Sequence, residues 1–372
     1  MAKVALHKCD DYSESKEKIR NAIDLLGGMD SFFRKGETVL IKPNVCEPLA
    51  PEKAATTHPL FLKAIIELVQ EFGAVVWVGE CSGGVTPGFT RKSLEASGIM
   101  DVIEETGAIL KDFELEPFAA RDIKDYTVLE RTDYAKAVID ADAIINVPKL
   151  KTHCLTFMTC AVKNTFGCIH PSERQYLHGK FSRRDDFAAG IVDAYSYLRP
   201  KIRLNIVDAV VSMEGDEGPS YGDPVNTGFI VAGSDAVSVD AVAFEAVGHK
   251  ALALPTNKAA EKRDLGVSDI EKIDIAGETL ESIKVPGFKK SSLFDNIKSG
   301  EKGFRTEFIF EPRLVEDKCT KCGNCVSNCP VGAISINRYP KIDYTKCIHC
   351  YCCHELCPEG AYTLVKKDIK KD

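Results

Sequence analysis

Short apolar runs alternate with amphipathic stretches through residues 1–285, and this alternation predicts a β/α succession. Strands are expected at 4–7, 38–41, 74–78, 143–147, 204–211 and 228–232. Helices are expected at 15–26, 59–72, 91–97, 133–139, 187–198 and 236–247. Such a succession folds as an α/β domain with a mostly parallel, doubly wound sheet covered by helices on both faces. Sheets of that kind bind ligands in the crevice at the carboxyl ends of their strands, so the residues just after each strand carry the chemistry.

Those positions are polar in a consistent way. Lys42, Asn44 and Cys46 follow the second expected strand, and Glu80, Cys81, Gly83 and Gly84 follow the third. Lys149, Lys151 and His153 follow the fourth, and Glu214, Gly215 and Asp216 the fifth, with Asp208 inside it. One such end is ordinary loop chemistry, but four in succession point to a shared pocket. Residues two apart in an extended chain share a face, so Lys149, Lys151 and His153 are expected to point the same way. Pro148 lacks an N–H, so pairing is expected to weaken there and the backbone to leave the sheet. The functional reading is a cationic pocket for a carboxylate or phosphate, with His153 as proton donor or metal ligand. A solvated basic loop is the plainer alternative. Lys163 and Asn164 follow downstream.

Beyond residue 314 the pattern changes. Cys319-Thr-Lys-Cys322-Gly-Asn-Cys325-Val-Ser-Asn-Cys329-Pro330 recurs as Cys347-Ile-His-Cys350-Tyr-Cys-Cys353-His-Glu-Leu-Cys357-Pro358. Each copy has the C-x2-C-x2-C-x3-C-P spacing of two-cluster ferredoxins, in which the fourth cysteine closes the other cluster. Cys319, Cys322, Cys325 and Cys357 are therefore assigned to one [4Fe–4S] cluster, and Cys347, Cys350, Cys353 and Cys329 to a second. Zinc and a disulfide framework are the weaker readings. Short strands are expected at 333–336 and 362–365, and Cys352, outside the repeat, reads as a buried thiol. Over residues 315–365 the segment resembles the bacterial 2x[4Fe–4S] ferredoxin domain.

Composition narrows the picture further. Fifteen cysteines, in a chain whose start lacks a signal-peptide h-region, suit metal and redox use better than disulfides. A cytoplasmic location and a reducing, anaerobic host are the corresponding expectations. A formal charge of −7 argues against nucleic acid as the main partner. No apolar run approaches the ~18 residues of a membrane span. Neither G-x-G-x-x-G nor G-x4-G-K-[ST] occurs, so NAD and ATP are unsupported, while flavin sites often lack a short signature and flavin stays open. Cys9, Cys46, Cys81, Cys154, Cys160 and Cys168 match no standard metal spacing, which favours buried thiols and leaves a third metal site unsupported.

The blocks IKPNV (41–45), NVPKLKTH (146–153), KNTFG (163–167) and GSDAVSVD (233–240) resemble those of the domain-of-unknown-function 362 family, over residues 2–280. Many members carry a similar C-terminal ferredoxin module. The resemblance supplies no substrate, but it implies that Lys42, Asn44, Lys149, Lys151, His153, Lys163 and Asn164 belong to a site. The expected organisation is an α/β domain (1–285), a packed linker (286–314) rich in Phe, and a ferredoxin-like domain (315–372).

The leading functional expectation is an iron–sulfur oxidoreductase that takes electrons from a redox partner protein. They would pass through two clusters to an anionic small molecule or cofactor in the crevice. His153, Lys149 and Lys151 are the catalytic candidates, and Lys42, Asn44, Glu80, Lys163 and Asn164 the binding ones. The alternatives are a non-enzymatic electron-transfer subunit and a metal or cofactor maturation factor. A deep pocket next to a cluster favours the enzyme, a flat surface the subunit, and convergence of Cys46, Cys81 or Cys154 the maturation factor.

Overall fold

The computed structural model describes residues 1–181, 183–292 and 308–368. In chain order the first twelve strands are β1 (Ala2–Lys8), β2 (Thr38–Lys42), β3 (Val75–Glu80), β4 (Ile109–Asp112), β5 (Phe118–Asp122), β6 (Arg131–Ala135), β7 (Ala143–Asn146), β8 (Lys149–His153), β9 (Phe157–Thr159), β10 (Ile202–Glu214), β11 (Asp223–Gly233) and β12 (Ile273–Gly277). Ten of them form one sheet in the order β12-β1-β11-β10-β7-β2-β3-β4, with β8 and β9 branching from β10. β5 and β6 pair separately. Only β11 with its two neighbours, and β8 with β9, run antiparallel in the large sheet. The mostly parallel α/β fold expected from the sequence is the fold observed.

Alternate residues along each strand enter opposite cores, as a pleated strand requires. Val39 and Ile41 pack with the helices Ser15–Leu25, Pro59–Phe72 and Ile99–Thr106. Leu40, between them, joins the opposite core with Arg184–Leu198 and Ala236–Ala246. With both faces covered, the strand ends are the places left for polar groups. One helix expectation changes: residues 131–135 are strand, and the helix runs Lys136–Asp140. The Thr132 and Tyr134 side chains there are buried in strand alternation against β5.

Four more strands follow: β13 (Phe308–Leu314), β14 (Ile334–Ile336), β15 (Pro340–Ile342) and β16 (Tyr362–Asp368). β13 pairs antiparallel with β16 and β14 with β15. Residues 308–314, expected in the connecting segment, thus form the partner of the last strand. Phe294 and Phe304 of that segment lie outside the described residues, but Phe308 and Phe310 are buried with Phe288 and Tyr351 in the core of the large sheet. No helix among the described residues is long and apolar enough to cross a membrane.

The cysteine-rich part sits on the carboxyl ends of the parallel strands. Asn328 Oδ1 accepts from Val85 N at 3.1 Å, and Asn324 Oδ1 from Thr86 Oγ1 at 2.7 Å. Gln175 donates to Ser327 O at 2.8 Å. A Cβ on Gly83 would lie 2.2 Å from Leu356 Cδ2, so glycine at the end of β3 is what admits that leucine.

Candidate functional site

β2, β3 and β7 end side by side, with Lys42 in register with Asn146 and the last residue of β3 being Glu80. Lys42 Nζ donates to both Glu80 oxygens (2.8 and 2.9 Å) and to Pro43 O (2.9 Å). Glu80 also accepts from Val45 N and Cys81 N. Both side chains are buried and every donor of the ammonium is used. A Cβ on Gly167 would stand 2.8 Å from Lys42 Nζ and 2.7 Å from Glu80 Oε1, so this glycine lets the backbone close over the pair.

Lys163 and Asn164 are presented by the short helix Ala161–Asn164. Cys160 supplies no side-chain cap, and Asp240 caps the helix from a distance by accepting from Ala161 N (2.5 Å) and Val162 N (3.1 Å). Asp235, in turn, caps Ala236–Ala246, the helix that carries Asp240. Two sequence blocks far apart in the chain therefore build one feature. Asn164 Nδ2 faces three acceptors: Asn146 Oδ1 at 2.8 Å, and Lys42 O and Pro43 O at 3.3 Å. That environment fixes the amide orientation and leaves Oδ1 buried without a partner.

These residues line a cavity, partly open to solvent, between the strand ends and the cysteine-rich part. Its walls include Lys42, Asn44, Glu80, His153, Lys163 and Asn164 from the sequence candidates, and Cys352, Glu355 and Leu356 from the opposite side. His153 Nδ1 accepts from Leu155 N at 3.0 Å, so Nε2 carries the proton, 3.7 Å from Glu355 Oε1. Burial, with Lys163, His178 and Lys151 nearby, holds His153 well below the ordinary imidazole range. A neutral imidazole there offers Nε2 as a hydrogen-bond donor. Burial pushes the Glu47 carboxyl up to about 7 and that of Glu355 up to about 8, against the pull of Lys151 and Lys163 respectively.

Sequence reasoning missed Glu47, Glu355, Arg174 and His178, all of which line the cavity. Arg174 reaches Cys81 O (3.0 Å) and Ser82 O (2.8 Å) through its terminal nitrogens, leaving buried Nε unpaired. Buried polar atoms without partners gather at this cavity: Asn44 Oδ1, Glu47 Oε2, Asn164 Oδ1, Arg174 Nε, His178 Nδ1 and Glu355 Oε1. Lys163 makes a cation–π contact with Phe166 at 4.8 Å and no hydrogen bond or ion pair among the described residues. Buried polar groups in native proteins find partners in protein, water or ligand, so this concentration marks a place where something other than the chain supplies them.

Lys149 lies elsewhere. Its Nζ donates to Asp208 Oδ2 (2.9 Å) and Tyr12 Oη (2.8 Å), and Asp208 also accepts from Tyr12 Oη and His58 N. Lys151 points toward Ala55 O and Cys46 Sγ. The expected common face of Lys149, Lys151 and His153 breaks for a structural reason. Lys149 pairs with Asp208 but Lys151 with Met213, so β8 advances two residues while β10 advances five. The pairing weakens past Pro148 as expected, yet the chain re-enters the sheet as β8.

The large-domain cysteines go to different partners: Cys81 contacts Arg174 Nη2 at 3.3 Å, and Cys154 donates to Gly218 O at 2.9 Å. Cys46 accepts from Asn44 Nδ2 at 3.5 Å. Among the described residues no three His, Cys, Asp or Glu side chains close on a single metal-ion position. The repeat cysteines instead ring two cavities. Cys319, Cys322, Cys325 and Cys357 line one, and Cys329, Cys347, Cys350 and Cys353 line another. Thiols spread around a cavity, not converging on one point, fit a cluster better than a lone ion. Cys352 lines both the second of these and the large cavity.

Fold and thiol arrangement together define an α/β protein with an iron–sulfur electron-transfer module on its strand ends. Residues 39–245 match the family model described as "Domain of unknown function (DUF362)", and residues 306–361 match "4Fe-4S dicluster domain". The chain belongs to the DUF362 family. Thylakoid-associated protein sll1697 of Synechocystis sp. (strain ATCC 27184 / PCC 6803 / Kazusa) is 30% identical over 258 residues, covering 68% of this chain and 76% of that one. A crystal structure of a Thermotoga maritima protein superposes with a TM-score of 0.39 at 14% identity, over 62% of this chain and 57% of that one. The lactate racemase apoprotein of Thermoanaerobacterium thermosaccharolyticum gives 0.40 at 13% identity, over 63% and 55%. This chain spans little more than half the length of either solved structure.

Proposed function

We propose that the protein is an iron–sulfur oxidoreductase that exchanges electrons with a small anion held in the strand-end cavity. The observation that carries this reading is Cys352, which lines both the cavity and the neighbouring pocket ringed by Cys329, Cys347, Cys350 and Cys353. Those four thiolates would hold one [4Fe–4S] cluster, and Cys319, Cys322, Cys325 and Cys357 a second. When bound, the clusters supply one-electron redox chemistry.

The chain's own residues divide the remaining work. Lys163 and Arg174 hold the anion, and Asn44 and Asn164 orient it. His153 donates a hydrogen bond from Nε2. Lys42 and Glu80 form the saturated floor on which Asn164 rests. Cys322 is exposed, whereas Cys353 and Cys357 are buried. The Cys319–Cys322 edge is thus the place for a redox partner protein, remote from the wall at Cys352. A bare docking subunit would need these polar groups on an accessible surface, and Lys42, Asn44, Glu80 and Asn164 are all buried.

The test is iron and acid-labile sulfide per chain on anaerobically purified protein, with EPR after dithionite reduction. About eight of each is expected for two clusters. About four of each, or iron without sulfide, would overturn the assignment.

A further inference from the structure

Building on the reading of this cavity as a ligand site, we propose that its occupant is a small carboxylate with hydroxyl groups on neighbouring carbons. The unmatched groups set the chemistry. On the cationic side two groups keep free N–H donors. One is the Lys163 ammonium. The other is the Arg174 guanidinium, which spends three of its five N–H groups on Cys81 O, Cys81 Sγ and Ser82 O and keeps Nε and one terminal N–H. Lys42 has no donor left. Two cationic groups can each take one oxygen of a carboxylate. A phosphate would bring further oxygens and charge against a wall that presents buried oxygen acceptors.

That wall is rich in acceptors. Asn164 Oδ1 and Asn44 Oδ1 are buried and unpartnered. The Asn164 acceptor is not interchangeable with its NH2, which is held by three carbonyl oxygens. Acceptors in this number call for donors on the ligand. An ammonium group could donate too, but it would sit among Lys151, Lys163 and Arg174. Hydroxyl groups donate without adding charge.

Calorimetric titration of the cluster-loaded protein with succinate, malate, tartrate, aspartate and inorganic phosphate tests this. Affinity is expected to rise from succinate to malate to tartrate by roughly three- to tenfold per hydroxyl. Aspartate should bind more weakly than malate, and phosphate more weakly than tartrate. Asn44→Ala, whose side-chain amide nitrogen contacts Cys46 Sγ, should narrow the ratio of tartrate to succinate affinity toward one. Unchanged iron content verifies that the variant is intact. Equal binding of succinate, malate and tartrate would overturn the hydroxyl-bearing class while the anion cavity stands. Tighter aspartate or phosphate would replace it with an amino acid or a phosphate. No binding by any of the five would overturn both this inference and the anion reading.

Discussion

Two lysine-centred clusters lie at the strand ends of this protein, and they differ in one respect that decides their roles. Around Lys149 the polar groups are matched: ammonium to Asp208 and Tyr12, carboxylate to Lys149, Tyr12 and His58 N. Around Lys163 they are not, and the Asn, Glu, Arg and His residues that line the cavity carry buried polar atoms without protein partners. The sequence blocks that mark this family contribute to both. Burial and polarity therefore do not separate framework from site; unmet hydrogen-bonding capacity does.

Breaking the matched cluster should have the largest effect. Asp208→Asn leaves the Lys149 ammonium buried without its counter-charge and should cost about 3–5 kcal/mol in denaturant unfolding. A loss under about 1 kcal/mol would mean that the cluster is not the framework described. Lys163→Gln should behave oppositely. Its stability is expected within about 0.5 kcal/mol of the parent, while tartrate affinity falls roughly ten- to hundredfold by calorimetry. Equal affinity in the variant would remove Lys163 from the anion site.

A pH series sharpens the contrast at smaller amplitude. Burial holds the Glu47 proton up to about 7. As pH rises through that value the cavity gains a negative charge, so tartrate affinity should drop about tenfold, and Glu47→Gln should flatten the profile. The sign for stability is the same. The fold keeps a proton that the unfolded chain has already released, so stability falls as pH climbs from the ordinary carboxyl value of 4.5 to about 7. A profile that rises with pH would exclude Glu47 as its source. The smallest effect belongs to Cys352→Ala, expected to keep full iron content at a stability cost of about 1 kcal/mol. Loss of iron in that variant would make Cys352 a ligand.

Much of this arrangement was legible in the chain. Apolar runs located each expected strand because the parallel strands are buried on both faces. Cysteine spacing separated two thiol sets, which line two distinct cavities. The strand-end rule led to Lys42, Asn44, Glu80 and His153, all on the cavity wall. What failed was direction. Alternation along 149–153 assumes a regular ladder, and the register of β8 on β10 shifts by three residues between Lys149 (opposite Asp208) and Lys151 (opposite Met213). What was invisible was convergence from outside the sheet. Arg174 arrives on the helix Pro171–Lys180, and Glu355 is concealed inside the cysteine repeat. Neither position has a local pattern that marks it, because only tertiary docking brings it to the strand ends.

The most direct test of the account is an EPR-monitored redox titration of the loaded protein with and without saturating tartrate. A bound anion disfavours added negative charge nearby. The potential of one cluster, the one lost in a Cys350→Ala variant, should therefore fall, while the other stays where it was. Two potentials that both ignore bound tartrate, or that move together, would contradict a ligand cavity set against one cluster.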